Sequence, residues 1–486
     1  MAYKLMIQGT MSNVGKSFIV TGLCRYFANE GYRVAPFKAQ NMALNSYATA
    51  EGLEMGRAQA TQAFAAMTTP SVDMNPILLK PVTDVGSQVI VRGRSVGNMK
   101  AADYYEYKQQ LVPIVLESFA KLDREYDIII IEGAGSPAEI NLRENDIVNM
   151  GLAKLVKAPV LIAGDIDPGG VFAQLYGTLS LLEPEDKRLV RGMLINKFRG
   201  DVNLLLPGIK TLESKCSRKV LGVIPMSEAR IEEEDSMNLP GEAGTKKSEN
   251  EKQKAEGKDD AEPMDIAVIK LPRMSNFTDF DAISEQPGMK VRYVSSAAAL
   301  GKPDLLIIPG TKSTIPDLRY IKASGMAAAI KALAGECKIM GICGGYQMLG
   351  IDIDDPDETE GGGREEGLGL LGIKTVLDKE KITTQTRRVI EDAPEGFGFL
   401  NGVLVSGYEI HNGRSYRVRE EDEKLVYGTY IHGFFDEDAV RNAFLGRTES
   451  TYSYEGFRNH QFELAAEAVS ANCDMHEIKK IMGMVK

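Results

Sequence analysis

The chain has 486 residues, with 57 Lys and Arg against 68 Asp and Glu for a net charge of -11, and is 43% hydrophobic and 26% charged. That length exceeds a single core of about 100–200 residues, so two domains are expected, and the composition excludes disordered and fibrous classes. The acidic balance has the wrong sign for a duplex-binding footprint, and no basic stripe offsets it, so nucleic acid is not an expected partner.

The chain opens on MAYKLMIQGT, which runs straight into a Gly-rich turn with no basic, apolar and small-residue leader pattern. No apolar run approaches the ~18 residues that span a bilayer. The five cysteines, Cys24, Cys216, Cys337, Cys343 and Cys473, form no Cys-x-x-Cys pair and lie next to no His at zinc spacing. These features predict a cytoplasmic protein with no membrane partner and no disulfide framework.

After the first apolar run comes Gly9-Thr10-Met11-Ser12-Asn13-Val14-Gly15-Lys16-Ser17, followed by a helical pattern. Small residues let backbone N–H groups close around phosphate, and the helix N-terminus favours its charge. Lys16 would reach the terminal phosphates and Ser17 would hold Mg²⁺. Thr10, Asn13 and Gly15 complete the expected ATP-binding loop, in which Thr10 stands where the strict motif has its first glycine. The loop resembles that of dethiobiotin synthetase and its relatives.

Further along, YDIIIIEGAG, APVLIAGD and VRGMLINKF are continuous Ile, Val and Leu runs, the signature of strands buried on both faces of a parallel sheet. Glu132, at the end of the first of them, is the expected metal-binding acid beside the loop. Asn196-Lys197 resembles the base-reading Asn-Lys of related NTPases. The fold class is therefore α/β, with an N-terminal P-loop NTPase domain on a parallel sheet over residues 1–228.

Residues 229–263 carry mixed charge, Gly and Pro with few apolar groups, and read as a polar flexible linker. The α/β rhythm restarts over 264–486 as a second domain. In it, Gly341-Ile342-Cys343-Gly344-Gly345 lies between a short apolar strand and a helical run. That is the context of a nucleophile elbow, where small neighbours permit a strained turn and a thiol can attack. The pattern resembles the nucleophile motif of triad-type glutamine amidotransferases. The base is expected at His432 in TYIHGFF. Gly310, in the loop after LLIIP, and Gly344 are the expected oxyanion and glutamine-binding donors. Many such glutaminases carry Glu two residues after the His, but Phe434 stands there, so the group orienting His432 is not identified.

The segments PFKAQNMALNSYAT, EMGRAQATQAFAA, NPILLKP, GSQVIVRG, DIDPGGVFA, KLPRMSNFTDFDA and GYEIHNG resemble the cobyric acid synthase family, the glutamine-hydrolysing amidotransferases of cobalamin biosynthesis. The resemblance covers nearly the whole chain outside the linker. It implies a corrinoid substrate, adenosylcobyrinic acid a,c-diamide, amidated on its b, d, e and g carboxylates with glutamine and ATP. It also implies that Lys38, Gln40, Asn41, Asn45 and Arg57 lie in the stretch that meets the corrinoid or the ATP γ-phosphate. A second acidic metal ligand is not placed, with Glu51, Glu54 and Asp73 as candidates. Two alternatives stand beside this reading: a cobyrinic acid a,c-diamide synthase, and a P-loop switch with a non-catalytic glutaminase-like domain. Whether the chain forms a homo-oligomer is left open.

Overall fold

The computed structural model describes residues 1–83, 86–232, 262–360, 362–420, 424–448 and 452–485. The chain folds into two compact units, and they do not divide it at one point as the boundaries 1–228, 229–263 and 264–486 expect. The first comprises Met1–Met42, Met55–Glu232 and Arg458–Lys486; the second comprises Ala43–Glu54 and Glu233–Phe457. Most of the expected linker, residues 233–261, lies outside the described residues. The last residues before it are held: the Arg230 N–H donates to Gln461 Oε1 at 2.8 Å, and Glu232 is buried against Arg57.

The first unit is built on six strands: β1 (Tyr3–Gly9), β2 (Val34–Phe37), β3 (Ile128–Glu132), β4 (Val160–Asp165), β5 (Val190–Phe198) and β6 (Val220–Pro225). They pair in the order β6-β5-β4-β1-β3-β2, and every pairing is parallel. Ile128–Ile131 of β3 are fully buried, which is why this strand reads as an unbroken apolar run. Helix α1 (Lys16–Asn29) follows β1 directly. A smaller sheet joins Gln40–Met42, Ile77–Thr83, Gly86–Val91 and Arg94–Lys100.

The C-terminal helices return to this unit for a chemical reason. Arg25 of α1 pairs with Glu463 at 2.8 Å, and Lys479 pairs with Glu30 at 2.7 Å. A Cβ on Gly22 would meet the Ala465 carbonyl at 2.6 Å, so the tail helix lies directly on the α1 backbone. Val469, Ile478 and Met482 join the same apolar cluster as Leu5, Ile19 and Leu23.

The second unit has its own parallel sheet of β7 (Met264–Ile269), β8 (Met289–Val294), β9 (Leu305–Ile308), β10 (Lys338–Ile342) and a last strand, Val426–Thr429, in the order β8-β7-β9-β10-last. A long antiparallel pair, β11 (Ile373–Val389) and β12 (Leu404–Arg417), stands beside it; Val426–Thr429 is β13. Short helix α2 (Gly344–Leu349) follows β10. Two α/β units, each on a parallel sheet, are thus the fold that the alternating apolar runs predict. Among the described residues no helix is long and apolar enough to cross a membrane.

Candidate functional site

In the first unit, the turn from β1 into α1 is shaped for close approach. Gly15 sits at φ 92°, ψ 26°, in the left-handed region that favours glycine. A Cβ there would collide with the Asn196 amide. Asn196 Nδ2 donates to the Val14 carbonyl at 2.8 Å, and Lys197 Nζ donates to the Asn13 carbonyl at 2.7 Å and pairs with Asp165 at 2.7 Å. The Asn-Lys pair therefore braces the loop from the end of β5, two strands away. Thr10 Oγ1 donates to Gln174 Oε1 at 3.1 Å, which ties the loop on its other side.

Lys16 Nζ donates to the carbonyls of Met11, at 3.0 Å, and Gly135, at 3.2 Å, so the ammonium lies over the loop and beside the turn that leaves β3. Ser17 Oγ donates to Glu132 Oε1 at 3.0 Å, and Lys38 Nζ reaches the same oxygen at 2.9 Å. Gln62 donates to the other carboxylate oxygen. Burial pushes the Glu132 carboxyl up, but Lys38, Gln62 and Lys16 outweigh it and hold the group below the ordinary carboxylate range. Glu132 is therefore a charged acid inside the protein. Asn149 fixes the next turn by a reciprocal pair with Ala134, accepting from its N–H at 3.1 Å and donating to its carbonyl at 2.6 Å.

The hydroxyl of Ser17 and the carboxylate of Glu132 are hard oxygen donors side by side, and they fit Mg²⁺ of the kind that keeps most of its shell from phosphates and water. None of the three candidate second acids is shown joining them. Asp73 pairs with Arg92 at 3.2 Å and Lys121 at 2.7 Å, Glu54 pairs with Lys381 in the second unit, and Glu51 is exposed. Among the described residues no group of three or more His, Cys, Asp or Glu is arranged to hold a metal.

In the second unit, Cys343 sits at φ 51°, ψ -109°, between β10 and α2. A non-glycine residue at positive φ is strained, and neighbours hold it there: its N–H donates to the Thr429 carbonyl at 2.8 Å, and its carbonyl accepts from the Gln347 N–H at 3.1 Å. A side chain on Gly345 would collide with the Ile308 carbonyl, so the small residue after the elbow is required by packing. The thiol approaches the Ile410 carbonyl at 3.6 Å. Because Ile342 of β10 registers with Thr429 of β13, His432 emerges beside the thiol.

The acid that sequence reading left unidentified is Asp279. His432 Nδ1 lies 2.7 Å from Asp279 Oδ2, and the other oxygen, Oδ1, accepts the Gly433 N–H at 2.9 Å. A carboxylate only accepts, so Nδ1 carries the proton and Nε2 is turned to the thiol. Burial pushes the imidazole down, but Asp279 and the Cys343 thiol outweigh it and push the pKa up to about 10. His432 also stacks on Tyr408, with ring centroids 5.6 Å apart. The expected Cys–His dyad is thus a Cys343–His432–Asp279 group. Phe434, at the usual position of the acid, is fully buried in the apolar core. Asp279 stands in a 3-10 turn, Phe277–Phe280, with no motif of its own; its one signal was that FTDFDA lies in a segment bearing the family resemblance.

Gly310 lies against the imidazole, where a Cβ would meet His432 Cε1 at 3.1 Å, and one on Gly344 would meet the Thr311 backbone nitrogen at 3.2 Å. Both expected oxyanion residues therefore border the thiol and its base. Thr311 is pinned by donating to Asp317 Oδ2 at 2.6 Å.

The residues expected to meet substrate do not form one cluster. Lys38 joins Glu132. Gln40 Oε1 accepts from the Tyr104 hydroxyl at 2.6 Å, and Asn41 Nδ2 donates to Gln59 Oε1 at 3.0 Å. Arg57 forms a buried double hydrogen bond with Glu232, at 2.8 and 2.9 Å, whose carboxyl is held down to about 2 against the effect of burial by that guanidinium. Asn45 belongs to the second unit altogether.

Comparison with known proteins agrees with both halves. Residues 5–240 match the CobQ/CobB/MinD/ParA nucleotide binding domain, and residues 265–440 match the CobB/CobQ-like glutamine amidotransferase domain. Among curated relatives, the cobyric acid synthase of Lachnoclostridium phytofermentans is 48% identical over 99% of each chain. That of Caldanaerobacter subterraneus subsp. tengcongensis is 47% identical over 99% of each, and that of Thermoanaerobacter sp. is 46% identical over 100% of each.

Proposed function

Because this chain belongs to the cobyric acid synthase family, we propose that it converts the b, d, e and g side-chain carboxylates of adenosylcobyrinic acid a,c-diamide to amides, with glutamine as nitrogen donor and ATP as activator. The observation that carries the amidotransferase reading is the strained thiol of Cys343 beside a His432 whose Nδ1 lies 2.7 Å from Asp279.

The thiolate of Cys343 adds to the glutamine side-chain carbonyl, and the backbone N–H groups of Gly344 and Gly310 receive the oxyanion. Collapse breaks the C–N bond while the imidazolium of His432 protonates the departing ammonia, leaving a γ-glutamyl thioester. Water then adds with His432 as base and releases glutamate. In the first unit, the loop amides and Lys16 grip the ATP phosphates while the γ-phosphoryl group passes to a substrate carboxylate, giving an acyl phosphate and ADP. Ammonia displaces phosphate and forms the amide. Mg²⁺ would be held by Ser17 and Glu132 and would neutralise phosphate charge.

Purified protein, glutamine, ATP and Mg²⁺ with each corrinoid in turn test this reading by mass spectrometry. Full amidation of the a,c-diamide is expected. Acceptance of unamidated cobyrinic acid alone would favour the a,c-diamide synthase reading. ATP turnover with no glutamine hydrolysis would favour a switch ATPase, although the intact Cys343–His432–Asp279 group supports an active glutaminase.

A further inference from the structure

Residues Ala43–Glu54 come from the N-terminal part of the chain but belong to the second unit. Their chain continues at both ends into segments of the first unit, Met1–Met42 and Met55–Glu232. Within the second unit this arm reaches the surroundings of all three groups in the proposed glutaminase.

The first contact is a reciprocal clasp of two asparagines. Asn45 Oδ1 accepts the Phe277 N–H at 3.2 Å, and Asn276 Oδ1 accepts the Ser46 N–H at 3.0 Å. Asn276 sits at φ 51° and opens the 3-10 turn Phe277–Phe280, which carries Asp279. All four clasp residues are buried apart from water, where a hydrogen bond lost on one side leaves its partner unsatisfied. Second, Tyr47 packs edge-on against Tyr408, with centroids 5.1 Å apart, and Tyr408 in turn stacks on His432. Third, Ala48 clusters with Tyr408 and Ile410, and the Ile410 carbonyl is the group 3.6 Å from the Cys343 thiol.

The arm is also tied down beyond these contacts. Gln385 donates to the Ala48 carbonyl, and Lys381 pairs with Glu54. Gly52, at φ 72°, turns the arm so close to β11 that a Cβ would meet the Thr383 carbonyl at 2.8 Å.

We propose that Ala43–Glu54 is a positioning arm for the glutaminase, with Asn45 as the residue that sets the Asp279 turn and, through it, His432. The proposal rests on the glutaminase reading above. It assigns Asn45 a role in releasing ammonia and none in contacting the corrinoid or ATP. Misplacement of about 1 Å at a reacting group can cost roughly 10²-fold in rate, so a clasp that fixes a turn two residues from Asp279 has ample leverage.

The test compares Asn45→Ala and Asn276→Gly with the parent protein, using glutamine or ammonium chloride as nitrogen source. Asn276→Gly keeps the left-handed backbone while deleting the acceptor for Ser46. In both variants the glutamine-driven kcat should fall about 10- to 100-fold, the ammonia-driven rate should hold, and the alkaline limb of the glutamine-driven pH profile should move to lower pH as Asp279 loosens. Asn45→Asp, which keeps an acceptor for the Phe277 N–H, should recover most of the rate. Equal loss with both donors would make Asn45 a substrate or scaffold residue and overturn the proposal, as would unchanged glutamine-driven turnover in both variants. Cys343→Ala is the control: if it retains glutamine-driven turnover, the glutaminase reading itself fails. If it loses that turnover while the clasp variants keep it, the arm alone fails.

Discussion

Glu132 and Asp279 are both buried carboxylates that face a buried cation, yet they are supported in different ways. Glu132 ends an interior strand of a parallel sheet, and β1 and β2 pair along both edges of that strand. Asp279 stands in a single 3-10 turn, held by its own bonds to His432 and Gly433 and by contacts from the arm. A strand-end acid inherits rigidity from ladder hydrogen bonds on either side. A turn acid must obtain it from whatever packs against the turn. The phosphate loop should therefore tolerate distant change better than the thiol site does.

The sharpest way to break the comparison is to remove the reacting groups themselves. Cys343→Ala should lower glutamine-driven amidation by at least about 10⁴-fold and spare the ammonia-driven rate. Lys16→Ala should lower both, by about 10³-fold, read as ADP or amide formed with either donor. Robust ammonia-driven activity in the lysine variant would undo the assignment of the loop.

Asp279→Asn keeps the shape of the turn and removes its charge. Glutamine-driven kcat should fall roughly 10²- to 10⁴-fold, and the imidazole pKa, pushed up to about 10 in the parent, should drop. Protonation of departing ammonia needs the imidazolium, so activity is lost as pH rises through that pKa, and the alkaline limb should appear at lower pH in the variant. The same linkage has a stability side. A group raised in the folded state stabilises fully below its unfolded value and ceases to as pH rises through the folded one; Asp279→Asn should therefore unfold more readily near neutral pH but lose less stability on alkalinisation.

Lys38→Met takes the buried ion-pair partner from Glu132 and leaves it only the Ser17 and Gln62 hydrogen bonds and the charge of Lys16, and breaking such a buried pair costs about 3–5 kcal/mol, which thermal unfolding should register. Glu132 is held below the ordinary carboxylate range, so its contribution is present above the unfolded carboxylate pKa and fades as pH falls through the folded one; the gap between parent and variant should close in acid. Asn196→Ala removes one buried bond to the Val14 carbonyl, worth about 1 kcal/mol, and should raise KM for ATP by a modest factor. A change as large as that of Lys16→Ala would show that the loop is as dependent on remote support as the Asp279 turn.

Much of this arrangement is legible in the order of the residues. The loop Thr10–Ser17, the acid at the end of YDIIIIE, the thiol in GICGG and the imidazole in TYIHG each stand at the end of an apolar run, where parallel sheets present their chemistry. Local pattern reaches that far because strand, turn and helix are consecutive in the chain. Gln62 and Asn149 carried no motif of their own, since each is a polar residue within an ordinary helical or loop stretch, and only packing brings them to Glu132 and Ala134. The family resemblance puts Arg57 in a stretch that meets substrate, but its buried bond to Glu232, 175 positions further along the chain, leaves no local pattern.

Local pattern carried two α/β halves, a Gly-Lys-Ser turn after the first strand, a thiol and an imidazole at strand ends, and the family to which the chain belongs. Tertiary structure alone decided that residues 43–54 leave the first half for the second, that the C-terminal helices return to α1, and that Asp279 completes the thiol site. Motifs record what neighbours along the chain do together, whereas a carboxylate and an imidazole 153 positions apart meet only when two strand ends and a turn are folded against one another.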